Sequence, residues 1–116
     1  MKFELCTDSV EGAEVASKFG FTSIELCSAL SVGGLTPNFG LIKQCVDGSK
    51  VEVHVMIRHK EGGFQVTVDD LAVMRLDIKA AKEAGAHGVV FGILDKENKV
   101  AETNKDWVQL ASRSEE

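Results

Sequence analysis

The chain has 116 residues, 27% of them charged and 44% hydrophobic, with a formal net charge of -5 at pH 7. That length sets a single globular domain as the expectation, with enough apolar material for a core and enough charge to stay soluble. The 13 Lys and Arg are scattered rather than clustered, which argues against a nucleic-acid partner, and no apolar run approaches the ~18 residues of a membrane span, which argues against a membrane one.

The N-terminus "MKFELCTDSVEG" carries an acid where a signal peptide would place its apolar stretch. Three cysteines, an odd number without short repeated spacing, do not make a secreted disulfide framework. A cytoplasmic chain with reduced thiols is the expectation.

Residues 2–6 form a short apolar strand, and Asp8 with Glu11 three positions on resembles a capping box opening a helix. That helix carries Val10, Ala13, Ala16 and Ser17 and stops at Gly20. A second strand spans 22–27. The longer connection "SALSVGGLTPNFG" leads into a helix over about Phe39 to Val46, which ends at Asp47-Gly48. In the third strand, 51–58, Val51, Val53, Val55 and Ile57 alternate with Glu52, His54, Met56 and Arg58, so one face is apolar and the other chemical. Thr67 and Asp70 form a second capping box, and Leu71, Met74, Ile78 and Ala81 recur at helical spacing until Gly85. "GVVFGIL" at 88–94 is the fourth strand; a last helix from about Asn104 carries Trp107, Leu110 and Ala111, and 112–116 is a polar tail.

Four strands alternating with four helices imply right-handed βαβ crossovers and a parallel sheet, an α/β (βα)4 unit. Side chains alternate across a strand, so Glu4 and Cys6 share a face, and the tripeptide Glu-Leu-Cys recurs at Glu25 to Cys27. If the apolar faces pack under helices, the opposite face carries Glu4, Cys6, Glu25, Cys27, Glu52, His54, Met56 and Arg58. A doubly wound sheet needs both faces apolar, whereas a barrel lumen can host a polar site at its carboxyl end.

The stretches "FELCTDSVEGA", "IELCSALSVGGLTPNFGLIK", "VHVMIRHKEGGF" and "GVVFGILD" resemble, in the same order, the N-terminal part of the CutC family of copper homeostasis proteins. The resemblance runs from about residue 3 to residue 100. It implies a (β/α)8 TIM barrel associated with cytosolic copper handling. Two features depart from the family pattern: the loop after the third strand has Arg58, His59, Lys60, Glu61, Gly62, Gly63 and Phe64 where the family is close to Arg-Pro-Arg-Gly-Gly-Asp-Phe, and the chain matches only half of a barrel of roughly 250 residues. A lone half leaves two strand edges and a lumen face uncovered, so either the chain is a fragment or it self-associates as a homo-oligomer, a two-fold dimer if complete.

Two functions follow. In the first, Cys6 and Cys27, at equivalent places on neighbouring strands ~4.8 Å apart, hold Cu(I), a soft ion for which thiolates and thioethers are suited. In the second, a barrel enzyme acts on a small anionic or carbonyl substrate, with Glu4 or Glu25 as acid/base and His54 and Arg58 orienting it or neutralising charge. Glu4, Glu25 and Arg58 also read as a structural ion-pair network. Met56 reads as filler or a thioether ligand, Cys45 as core, and His59 and His87 as solvated loop residues. The pairs Gly33-Gly34 and Gly62-Gly63 fit no phosphate-binding fingerprint and read as turns.

Overall fold

The computed structural model describes residues 1–112, so the expected polar tail lies, apart from Ser112, outside the described residues. The elements follow in strict alternation: β1 (Glu4–Thr7), α1 (Val10–Lys18), β2 (Ser23–Leu26), α2 (Phe39–Gly48), β3 (Glu52–Met56), α3 (Val68–Glu83), β4 (Gly88–Val90) and α4 (Thr103–Ser112). The strands form one sheet in the order β1-β2-β3-β4, every neighbouring pair parallel. This is the expected (βα)4 unit, half of a TIM barrel.

The face under the helices supplies the core. Ile24, Leu26, Val53 and Val55 are fully buried there with Ile42, Cys45, Ile78 and Ala81. Each large aliphatic side chain so buried contributes on the order of 1.5–3 kcal/mol, which is why strands of three to five residues suffice to fix the register.

The helix starts show local chemistry at work. Thr67 Oγ1 accepts from Asp70 N at 3.1 Å and Asp70 Oδ2 accepts from Thr67 N at 2.9 Å, so the capping box of α3 is as expected. At α1 the cap is Ser9, not Asp8: Ser9 is the residue in extended conformation, and its Oγ accepts from Gly12 N at 3.0 Å. Gly20, at φ +80°, takes the left-handed conformation just past the end of α1.

The fourth strand is shorter than the apolar run 88–94. After Val90 the backbone leaves the sheet, because Asn104 captures it: Asn104 Nδ2 donates to Ile93 O at 2.8 Å and Ile93 N donates to Asn104 Oδ1 at 3.1 Å. Phe91 turns onto Trp107, ring centroids 5.7 Å apart, and anchors α4. β3 likewise ends at Met56, since Arg58 N donates to Thr36 Oγ1 at 2.9 Å and Thr36 N to Arg58 O at 3.0 Å, pairing that stretch with the β2–α2 loop.

Candidate metal centre

The register sets Cys6 opposite Glu25, and Cys27 follows two residues later on the same face. Cys27 is held at the end of β2 by donating its N–H to Thr7 O at 3.0 Å. The two sulfurs lie 4.0 Å apart, and Cys27 Sγ is 3.9 Å from Glu25 Oε1. Ligand atoms of Cys6, Glu25 and Cys27 all fall within 4.8 Å of one another. Cys6 is exposed and Cys27 has no solvent access, so the cluster opens to solvent on one side only.

Burial, then the neighbouring Cys6 sulfur and Glu25 carboxylate, push the Cys27 thiol up to about 12. At neutral pH Cys27 therefore carries its proton, and any metal ion that binds it must displace that proton.

The loop between β2 and α2 closes over this cluster. Ser28 and Leu35 exchange two backbone hydrogen bonds of 2.8 Å, which folds residues 29–34 back and brings Gly34 against Cys27. Gly34 sits at φ +96°, and a Cβ there would lie 3.3 Å from Cys27 Sγ and 3.7 Å from Met56 Cε. Only glycine meets both demands. Met56 Cε and Cys27 Sγ thus both approach Gly34. Sequence reasoning undervalued this glycine; the signal available was its place seven residues after a cysteine in a loop too long for a simple turn.

The other expected residues divide between two places. Glu4 Oε2 accepts from Ser23 Oγ and from His54 Nδ1, each at 2.6 Å, while His54 Nε2 stands 3.3 Å from Glu52 Oε2. Glu4, Ser23 and Glu52 share the amino-terminal row of the strands, while His54 stands in the row of Cys6 and Glu25. Arg58 stands at their carboxyl end and pairs with neither Glu4 nor Glu25, so the expected ion-pair network of these three does not form. Instead Arg58 Nη1 donates to Val32 O at 2.8 Å and Gly34 O at 3.1 Å, and Nη2 to Gly62 O at 2.8 Å. Backbone carbonyls of two loops take the place of the carboxylates, because the lumen-side glutamates point from lower rows of the sheet.

Two histidines differ from the expectation of solvated loop residues. His59 Nε2 lies 3.1 Å from Asp70 Oδ1, with Lys60 Nζ 2.7 Å from Asp70 Oδ2. Lys60 and the Thr67 amide hold the Asp70 carboxyl well below the usual carboxylate range. His87 Nδ1 accepts from Val53 N at 3.0 Å, fixing the turn before β4. Cys45 is buried in the core as expected, and burial raises its thiol.

The sequence model of the CutC family matches residues 1–113. The chain belongs to the CutC family. It is 41% identical over 99 residues to a CutC family protein of Vibrio campbellii, a match covering 85% of this chain and 40% of that one. A CutC family protein of Glaesserella parasuis is 40% identical over 116 residues, all of this chain and 48% of the relative. The crystal structure of CutC from Streptococcus agalactiae, a protein assigned to copper homeostasis, is similar with a TM-score of 0.84 at 31% identity, covering 94% of this chain and 54% of that one. This chain therefore spans about half the length, or less, of the CutC relatives it matches.

Proposed function

We propose that this CutC chain serves copper homeostasis by binding Cu(I) through Cys6 and Cys27. The observation that carries the reading is the 4.0 Å separation of the two sulfurs, within the span of one ion bonded to both at metal–thiolate lengths of ~2.3 Å. The donor set fits a soft monovalent ion: two thiols, with the Met56 thioether side chain against the same glycine. Copper here is cargo. Glu25 supplies a carboxylate beside the buried thiol and is placed to receive its proton as the ion arrives. Free thiols of this kind belong to a reducing, cytoplasmic setting. Among the described residues no helix is long and apolar enough to cross a membrane.

The enzyme reading, with Glu4, Glu25, His54 and Arg58 acting together on a small anionic or carbonyl substrate, has less support. Catalytic groups of such barrels come from the carboxyl ends of the strands, whereas Glu4 lies in the amino-terminal row and is engaged by His54, which stands at mid-strand in the row of Cys6 and Glu25. We further propose that the chain self-associates, because the outer edges of β1 and β4 have no strand partner among the described residues.

Anaerobic titration with Cu(I) against a colorimetric chelator tests the copper reading. One ion per chain is expected, lost in the Cys6→Ser/Cys27→Ser double variant and retained in Cys45→Ser. Equal uptake by the double variant would remove the proposal.

A further inference from the structure

Cys27 is covered by a loop that does not hold itself down. Residues 29–33, the tip of the connection between β2 and α2, include no buried side chain, so apolar packing does not fix them. Their backbone turns through the left-handed region at Ala29 (φ +49°) and Gly33 (φ +93°), and Gly34 follows at φ +96°. An alanine stays in that conformation only where surrounding contacts enforce it. The Ser28–Leu35 pair ties the base of the loop, and the tip needs a tie of its own.

Arg58 supplies it. Nη1 donates to Val32 O at 2.8 Å and to Gly34 O at 3.1 Å, and a Cβ on Gly33 would lie 3.2 Å from the same nitrogen, so the guanidinium sits against the tip. Arg58 is itself anchored: Nη2 donates to Gly62 O at 2.8 Å, the Phe64 ring centroid lies 5.2 Å from Cζ, and the backbone exchanges hydrogen bonds with Thr36. Bonds from a charged donor are roughly twice as strong as neutral ones, so this one side chain outweighs the other ties on the tip. It holds Gly34 on the Cys27 sulfur.

The two thiols are consequently unequal. Their sulfurs lie 4.0 Å apart, yet Cys6 is exposed and Cys27 has no solvent access. We infer that Arg58 latches residues 29–34 as a gate over Cys27, so that an incoming ion meets Cys6 first and reaches Cys27 only when the latch opens. Arg58 is a positioning residue, acting through Gly34 rather than on the metal. What passes the gate rests on the Cu(I) reading above; the gate itself is tested without metal.

Metal-free, reduced protein is alkylated with iodoacetamide, and labelling of each cysteine is followed by mass spectrometry after trypsin, which cuts at Lys18 and Lys43 and so separates Cys6, Cys27 and Cys45. Cys45, buried in the core, reports any general loosening. In the wild type Cys6 should label at least tenfold faster than Cys27. Arg58→Met should speed Cys27 by roughly tenfold or more, as the loss of two charged hydrogen bonds on the loop entails, with Cys6 and Cys45 unchanged. Phe64→Ala, at a half-exposed position that the fold tolerates, should speed Cys27 by roughly two- to fivefold by loosening the guanidinium. If Arg58→Met also accelerates Cys45, the protein has opened as a whole and Phe64→Ala decides: faster Cys27 alone supports the gate, and an unchanged rate removes it. Cys27 labelled as fast as Cys6 in the wild type, or no faster in an Arg58→Met protein whose Cys45 stays protected, would overturn the inference. A chain that took up no Cu(I) would remove the copper reading and leave these rates as they are.

Discussion

Glu4 on β1 and His54 on β3 meet at 2.6 Å across the strand that separates them. In a flat sheet, strands two apart lie ~9.6 Å from each other, so the contact reports a sheet curled inward, as a barrel wall requires. Ser23 of β2 lies beneath the pair and donates to the same Glu4 oxygen at 2.6 Å. Three strands are thus fastened on the concave face by one carboxylate, which reaches from the row below Cys6 to His54 in the row of Cys6 and Glu25.

Glu4→Ala should therefore destabilise the fold and leave the thiols untouched. Ser23 is buried, and its hydroxyl would lose its acceptor, which costs about 1–3 kcal/mol. Chemical denaturation should show that loss for Glu4→Ala and a change within about 0.5 kcal/mol for Glu14→Ala on exposed helix surface. Cu(I) stoichiometry should be the same in both. A Glu4→Ala protein of unchanged stability that no longer takes up copper would place Glu4 in the site instead.

Cys27 gives the chain a signature at alkaline pH. Its folded pKa, about 12, stands above the ordinary thiol value of 9.0, so the folded state holds the proton over a range where the unfolded state releases it. The stability this contributes is complete below about pH 9 and is lost as pH rises towards about 12, with a slope of up to ~1.4 kcal/mol per pH unit within the window. The difference in unfolding free energy between wild type and Cys27→Ala should consequently shrink across that window. Cu(I) binding runs the other way, strengthening as pH rises because the ion displaces thiol protons. A stability difference constant from pH 7 to 11 would show that Cys27 is not held protonated.

Gly12 is the position where helix propensity misleads. Alanine in the interior of an exposed helix is ordinarily better than glycine by about 1 kcal/mol. Here a Cβ would lie 1.8 Å from Thr7 Oγ1 and 2.7 Å from Thr7 Cβ, and Thr7 is buried at the end of β1. Gly12→Ala should destabilise by about 1–3 kcal/mol, the cost of overpacking, and Gly12→Ala with Thr7→Ser should recover little because Oγ1 remains. Thermal unfolding of the pair checks the sign.

The sheet was legible because its signals are local and periodic. Val51, Val53, Val55 and Ile57 against Glu52, His54 and Met56 declare two faces without reference to anything distant, and the repeated Glu-Leu-Cys placed both cysteines on one of them. The meeting of Cys6 and Cys27 followed from parity. What escaped depends on contacts made across the fold. Arg58 reads as a partner for Glu4 and Glu25 until loops brought together from residues 32–34 and 62 supply carbonyls instead. The early end of β4 depends on Asn104, fourteen residues after Val90, whose amide outcompetes a strand partner for Ile93. The Asp70 cluster arises because the loop after β3 returns His59 and Lys60 to the first turn of α3.

The two open edges of the sheet differ in chemistry, and that difference predicts how the chain associates. The β1 edge is bordered by the charged Lys2, Glu4 and Asp8, features that discourage strand addition. Beside β4, by contrast, Val89, Ile93, Leu94, Val100 and Val108 line one groove, and Val100 and Val108 are 76% and 57% exposed. Pairing two copies across their β4 edges satisfies both with one two-fold contact, and burying the paired grooves supplies the apolar area that strand hydrogen bonds alone lack. Sedimentation equilibrium should show a concentration-dependent dimer, weakened at least tenfold by Val108→Lys or Val100→Glu and unaffected by Lys2→Glu on the opposite edge. A monodisperse monomer at high protein concentration, or a dimer sensitive to Lys2→Glu and not to Val108→Lys, would mean that the β4 groove is not the associating surface.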